Sequence, residues 1–410
     1  MRRKLLDQRR RRPLVAALAL VLGAGGVVWA MSADAGPSHE PAAFAAHAVL
    51  KVSHVRGLSG SRSAPDSLVA GELVQERGTR RVRLGGGDEV IAALTGSLVP
   101  VAVESDDRAL VAYSAWRQIA EIKPDEPGQG LRVGDPVGVP SIRLYDATTR
   151  KDTLVAAGAY SPALSQDGEL AFVKSEDRIV RENRPYVGQI LVGDARKRSF
   201  AQWTSDVARY STYGWAGDFL LVYRQLPDSE ARDLYAFAGP QDSHLVAPDA
   251  NVIAVAPDGA RALVTVGRRM VEVVRVADGA VESSLALDGP GIAEAGSQST
   301  PHALMYSGSW LGDHVVANSD TGLVVLDVSD GLRIAAVFAT PFPHGIIEPT
   351  FTDETHIVGW ADLTPVSVAK HAEPAYDHAL VACDLAASTC SAGPTQPARA
   401  WTRWIGNPSR

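Results

Sequence analysis

Residues 251–287 read NVIAVAPDGARALVTVGRRMVEVVRVADGAVESSLAL. Four short apolar runs stand out, Val252–Ala256, Ala262–Val266, Val271–Val276 and Val281–Leu287. Pro-Asp-Gly, Gly-Arg-Arg and Ala-Asp-Gly separate them. Asp-Gly between β-branched, alternating runs is a strong hairpin signal, because the favoured two-residue loops place both turn residues at positive φ. The stretch therefore reads as one antiparallel meander of four strands with no helix.

Imperfect copies of this unit recur along the chain. Its first hairpin, a polar turn followed by an apolar strand, returns in ESDDRALVAY (104–113), LSQDGELAFV (164–173), WAGDFLLVY (215–223), WLGDHVVAN (310–318) and FTDETHIVGW (351–360). Its second hairpin, a strand that runs into a mostly Asp-containing turn, returns in IRLYDATTRKD (142–152), ILVGDARKR (190–198), LYAFAGPQD (234–242), VVLDVSDGL (324–332) and LVACDLAAS (380–388). Measured at the second turn residue, the first signature falls at 107, 168, 218, 259, 313 and 354. Spacing of roughly 40–50 residues is the period of radially repeated four-stranded sheets, and longer intervals mark loop insertions. Helical periodicity is nearly absent beyond residue 60.

Ser165-Gln166-Asp167-Gly168 and Pro257-Asp258-Gly259, each leading into an apolar strand, resemble the blade openings of the WD-repeat and TolB-like propellers. The resemblance covers about residues 90–394 and implies fold, not activity. The Gly-His and Trp-Asp dipeptides of strict WD repeats are missing, so it points to a divergent propeller. The expected class is an all-β propeller of six blades. Seven result if Leu73–Leu84, which reads as a hairpin around Gly78, pairs with Ala400–Ile405.

The N-terminus carries a different signal. Residues 1–12 hold seven Arg/Lys and one Asp, and residues 13–31 (PLVAALALVLGAGGVVWAM) are uncharged. At 1.5 Å per residue this run is about 28 Å long, close to a hydrocarbon core of roughly 30 Å. The expectation is a signal-anchor with its basic flank in the cytoplasm and the rest outside. A cleaved signal peptide, with Ala33-Asp34-Ala35 as cleavage motif, is the other reading and makes the protein secreted. Residues 32–69, rich in Ala, Ser, Pro and Gly, read as a flexible spacer with a short helix over Ala42–Val49, and 70–410 as the propeller domain.

Net charge is −7, but without the first twelve residues 33 bases face 46 acids, a balance of −13. An acidic body excludes a phosphate-backbone partner, which needs a clustered positive surface. The two cysteines, Cys383 and Cys390, read as a disulfide across a hairpin on the oxidising side of a membrane.

No catalytic constellation emerges. The repeated turn aspartates Asp107, Asp167, Asp258 and Asp353 are explained by turn chemistry, since Asp tolerates left-handed backbone and bonds its own main chain. The late histidines lack metal-ligand spacing, and no nucleophile elbow, P-loop or dinucleotide fingerprint is present, so no catalytic residue, metal or cofactor is assigned. Insertions at Glu121–Pro140, Glu176–Gly188 and Gly289–Pro301 are where binding residues are expected, because loops on a rigid scaffold carry recognition. Trp116, Arg117 and Tyr186 beside them, and His302 and His344 in interblade loops, are the candidate ligand-face residues. The functional expectation is a binding or scaffold module for a protein, peptide or glycan partner. The competing one is a lactonase-like hydrolase or glycan lyase with a central-channel site. Residues 251–287, the most regular unit, are expected to carry the least of the function.

Overall fold

In the computed structural model the described residues are the strands between Ala42 and Trp404 and most of the chain joining them over 136–175, 186–287, 305–362 and 378–392, with side chains over 110–115, 139–175, 187–287, 307–361 and 379–392 apart from short gaps. All of them belong to one unit, Glu40–Arg410. The strands are all antiparallel, as the hairpin signals require.

The first sheet starts with β1 (Ala42–Ser53), β2 (Ser67–Glu76) and β3 (Arg81–Gly85), with β4 (Val90–Ala93) also pairing β2. Next come β5 (Ala102–Glu104) and β6 (Leu110–Ala115), then the short β7 (Gln118–Ile119) just before the first insertion and β8 (Pro136–Gly138) within it. β9 (Ser141–Asp146) and β10 (Lys151–Ala157) complete a four-stranded sheet in the order β5-β6-β9-β10. The following unit is β11 (Ala159–Leu164), β12 (Glu169–Ser175), β13 (Val180–Arg181) of the second insertion, β14 (Tyr186–Asp194) and β15 (Ser199–Gln202). Then come β16 (Ala208–Ala216), β17 (Phe219–Gln225), β18 (Asp233–Gly239) and β19 (Asp242–Ala247). The quoted stretch forms β20 (Ala250–Val255), β21 (Arg261–Val266), β22 (Met270–Arg275) and β23 (Val281–Ala286), paired in chain order. Two more four-stranded sheets follow, β24 (Met305–Leu311) to β27 (Arg333–Phe338) through β25 (His314–Ser319) and β26 (Gly322–Asp327), and β28 (Ile347–Phe351) to β31 (Thr389–Ala392) through β29 (His356–Asp362) and β30 (His378–Asp384). Finally β32 (Ala400–Trp404) returns to the first sheet, which runs β3-β2-β1-β32.

The middle strands of each unit are apolar without alternation, and the structure shows why. In β21, Ala262, Leu263, Val264 and Thr265 are all buried, and β26 is buried from Gly322 to Leu326. Both faces are covered, so the period-2 pattern of a half-exposed strand disappears. The covering is done by the neighbouring sheets. Leu144 and Ile142 of one unit pack with Phe172 and Leu170 of the next. Ile190 meets Tyr210 and Leu220, and Leu221 and Tyr223 meet Val252 and Val264. Leu263 and Val273 meet Trp310 and Val315, and Val316 and Val325 meet Phe351 and Ile357. The seams bury nine to fourteen residues each, and a fully buried Val or Leu is worth roughly 1.5–3 kcal/mol. Sheet faces sheet in sequence order, each sheet radiating outward from its first strand. This is a β-propeller, divergent from the WD-repeat and TolB-like types that the turns resemble. The outermost strands are the exposed ones, as in β10 and β23.

Two features depart from the simple repeat. β14 is long enough to pair twice, with β15 through Leu191–Asp194 and with β16 through Tyr186–Gly188, which fuses two units into one eight-stranded sheet. The two insertions are also knitted together, because β13 pairs β8 (Val180↔Gly138) and β8 pairs β7 (Gln118↔Val137).

The sequence reading needs two corrections. Ala42–Val49, expected as a helix in a spacer, lies within β1, which pairs β2 on one side and β32 on the other. Alanine favours a helix locally, but partners remote in sequence decide the outcome here. The hairpin expected around Gly78 is present as β2–β3, but the C-terminal Ala400–Trp404 pairs β1 and not Leu73–Leu84, because β1 lies between them in the sheet. The uncharged run 13–31 lies outside the described residues. Among the described residues no helix is long and apolar enough to cross a membrane.

Candidate functional site

The first strand of each unit lies nearest the centre, and in five successive units, from β11 to β28, it carries the same irregularity. An extra residue or an uneven register separates Tyr160 from Ala163, Thr212 from Gly214, Val252 from Ala254, Met305 from Gly308 and Ile347 from Thr350. Bulges bend a strand and re-aim its side chains. Two of them hold non-glycine residues in the left-handed region, Ser161 (φ 55°) and Glu348 (φ 52°).

These strands are tied to one another across the seams. Ser161 Oγ lies 3.0 Å from Thr212 Oγ1 and accepts the Thr212 N–H at 3.1 Å. The Tyr223 hydroxyl accepts the Val252 N–H at 2.9 Å, and Ser309 Oγ accepts the Phe351 N–H at 2.8 Å. Trp215 Nε1–H donates to the Ala163 carbonyl at 3.3 Å.

Each first strand ends in the turn that the sequence marked. Gly168, Gly217, Gly259 and Gly312 occupy it at positive φ. Asp258 accepts the Ala260 N–H at 2.9 Å, and Asp353 accepts those of Thr355 and His356 at 2.8 and 2.9 Å. Asp258 and Asp353 hold their turns as expected; at Asp167 the turn is held instead by Ser165 Oγ, which accepts the Glu169 N–H at 2.9 Å, and Asp107 lies outside the described residues. At Gly259 the approach is closest. A Cβ there would sit 2.1 Å from the Gly217 nitrogen, so the turns of two adjacent units touch backbone to backbone.

Where the turns converge they enclose a cavity of about 480 Å³. Its walls come from the ends of the first strands, including Leu164, Tyr213, Trp215, Val255, Ser309 and Thr350, and its rim from Gln166-Asp167, Gly217-Asp218 and Pro257-Asp258-Gly259. Tyr213 is the extra residue of the β16 bulge. Its ring stands edge-on to Tyr223 at 6.2 Å and keeps 38% of its surface open. Desolvation, then the neighbouring Tyr223, raise its phenol pKa above the usual tyrosine value. Trp215 is braced edge-on by Trp203 at 6.1 Å. Trp310 is buried, its Nε1–H bonded to the Gly312 carbonyl at 2.9 Å and its ring covered by the Arg261 guanidinium at 5.1 Å.

Trp116, Arg117, His302 and His344 are outside the described residues, as are most of the three insertions. Tyr186 opens β14, where only its backbone is described, paired with Tyr210. The unit expected to matter least, 251–287, supplies six consecutive lining residues from Ala254 to Gly259. Sequence could have indicated the mouth only through the aromatics Tyr213 and Trp215 in STYGWA, directly before a turn. Among the described residues no three His, Cys, Asp or Glu side chains gather as a metal group. The disulfide forms as expected, Cys383 of β30 directly opposite Cys390 of β31 with Cα atoms 4.0 Å apart.

No protein-family model matches the chain, and no curated protein matches it. Solved structures do. The chain is similar to the dihydro-heme d1 dehydrogenase NirN in complex with DHE, at TM-score 0.51 and 15% identity over 89% of this chain and 76% of that one. It is also similar to the β-propeller domain of the Trilobed protease from Pyrococcus furiosus, which has an open velcro topology (TM-score 0.42, 11% identity, 86% and 95% covered). TolB from Acinetobacter baumannii matches at TM-score 0.40 and 11% identity, over 88% and 66%. Likeness at this level concerns fold alone.

Proposed function

We propose that the protein is a propeller-type binding module that acts outside the cytoplasm and seats part of a protein, peptide or glycan partner in the mouth at its centre. The observation that carries this is the 480 Å³ cavity itself. It is built by turns and strand ends of five consecutive units, braced by interstrand hydrogen bonds, and holds the partly open Tyr213 ring. Concave sites with a few fixed polar groups and aromatic walls are where ligands bind. In this reading residues 13–31 anchor the module in the membrane, or a signal peptide is removed and the module is secreted. The described strands support seven blades, six in sequence from β5 to β31 and a seventh closed by β32 on β1.

A photo-crosslinking residue at Gln166, exposed on the rim, tests the seat in native membranes. A specific adduct from that position, absent when the same residue replaces Asp242 on an outer strand, supports it. Adducts only from the outer position overturn it. Protease added to intact cells should degrade the propeller domain if it faces outward; full protection contradicts that placement. For closure, Leu50→Cys with Arg403→Cys, directly opposed in the β1–β32 register, should form a disulfide on mild oxidation.

A further inference from the structure

We propose that the Cys383–Cys390 disulfide is a redox latch, opened by a dithiol donor, whose state sets how firmly the closing strand β32 is held. The two cysteines face each other across the last hairpin before that strand, Cys383 on β30 and Cys390 on β31. β31 is the outermost strand of its unit and pairs only β30 among the described strands. It spans four residues, none of them buried. Seven residues further on, the chain enters β32, which completes the first sheet by pairing Val49–Ser53 of β1. The bridge therefore ties down the last hairpin ahead of the closing strand.

The placement leaves the bond open to exchange from one side. Cys383 is 3% exposed, inside the apolar seam with Val316, Val325 and Phe351, whereas Cys390 is only partly buried at the edge of that seam. Access decides which sulfur of a disulfide a thiolate attacks, so attack falls on Cys390. The sheet also sets the separation of the two residues. Directly opposed positions on antiparallel strands have Cα atoms about 4.5–5.5 Å apart, at or below the roughly 5.5–6 Å that disulfides favour. Bridges that are reachable and held by their surroundings are the more readily reduced ones.

The exchange runs in two displacements. A thiolate of the donor attacks Cys390 Sγ, the S–S bond breaks, and Cys383 leaves as a thiolate that takes a proton from water. The donor's second thiol then displaces Cys390 from the mixed disulfide. The donor is oxidised by two electrons to its own disulfide, and both cysteines end as thiols. β31 is then held by its four register pairs with Val381–Asp384 and by its partial packing at the seam. Short edge pairing of this kind opens locally well before the rest of a fold, and the chain leading into β32 is freed with it.

The test uses the full chain in detergent. In 10 mM dithiothreitol without denaturant, alkylation and peptide mapping should find both cysteines as thiols while the far-UV spectrum is unchanged. Amide exchange should then rise about tenfold over Thr389–Ala392 and Ala400–Trp404, as local opening requires, and stay as it was over β20–β23. Cys383→Ser/Cys390→Ser should show the same rise with no reductant present. For the route, oxidised glutathione should modify Cys390 in Cys383→Ser faster than it modifies Cys383 in Cys390→Ser. A bond that resists dithiothreitol until the protein unfolds overturns the exchange. A bond that opens with exchange over Ala400–Trp404 unchanged overturns the latch, as does a rise that extends equally to β20–β23. Equal rates of modification at the two cysteines overturn the attack on Cys390.

Discussion

Replacing Gly259 by alanine perturbs the fold where two units meet at the centre. Gly259 has φ 72°, and its added Cβ would lie 2.1 Å from the Gly217 nitrogen and 2.6 Å from the Ala216 carbonyl carbon. The left-handed backbone alone costs an L-residue about 1–2 kcal/mol. The contact adds to this, because neither atom is the end of a flexible side chain and the two turns must separate. Loosening of well-packed backbone of this kind adds about 1–3 kcal/mol by analogy with overpacked cores, for a total of about 2–5 kcal/mol. Gly267 provides the matched control, with φ 55° and nothing within 4 Å of the position a Cβ would take. Gly267→Ala should therefore show the backbone cost alone, and it shares any gain from restricting the unfolded chain. Melting temperature read by far-UV circular dichroism gives the comparison, at roughly 1–2 °C per kcal/mol for a large domain. Gly259→Ala should melt several degrees below Gly267→Ala. Equal melting temperatures would mean that the two turns do not touch, and the converging mouth would lose its main structural support.

Two other outcomes follow from the described contacts. Reducing Cys383–Cys390, seven residues apart, should destabilise the protein by about 2.5 kcal/mol on the chain-entropy model; an unchanged melting temperature in reductant would show that the hairpin needs no staple. Asp206 is partly desolvated, which raises its pKa, but the Tyr210 hydroxyl and the Arg224 guanidinium (2.7 Å) outweigh that and hold it below the usual carboxylate value. A depressed folded pKa gives stability that is complete above about pH 4, the unfolded value, and is lost as pH falls through the folded one. For a pair this exposed the contribution is at most about 1 kcal/mol. The stability gap between wild type and Asp206→Asn should thus be present at pH 6 and close below pH 4; a gap that persists at pH 2 contradicts the pairing.

The turns were legible in the sequence because their chemistry is local. Asp258-Gly259 needs one residue that bonds its own backbone and one that accepts positive φ, and both demands are written in adjacent letters. The runs of β21 and β26 likewise announced strands, although reading them as alternating missed that both faces are covered. The mouth was not legible, since it consists of strand ends from units up to 186 residues apart, Leu164 to Thr350, and no local pattern links them. The bulge that turns Tyr213 into the cavity depends on how β16 pairs with β17, which its own sequence does not specify. β1 was misread for the same reason, its strand character being supplied by Ser67–Gln75 and Ala400–Trp404.

The central claim is that the first strands of successive units stand side by side around one axis and so build the mouth. Ser161 and Thr212 test it most directly, 51 residues apart in sequence with their hydroxyl oxygens 3.0 Å apart across a seam. In Ser161→Cys/Thr212→Cys, mild oxidation followed by peptide mapping should give a disulfide joining positions 161 and 212 alongside the native Cys383–Cys390 one. Two free thiols at these positions, with the native bridge intact, would contradict the ring of converging strands and the site built on it.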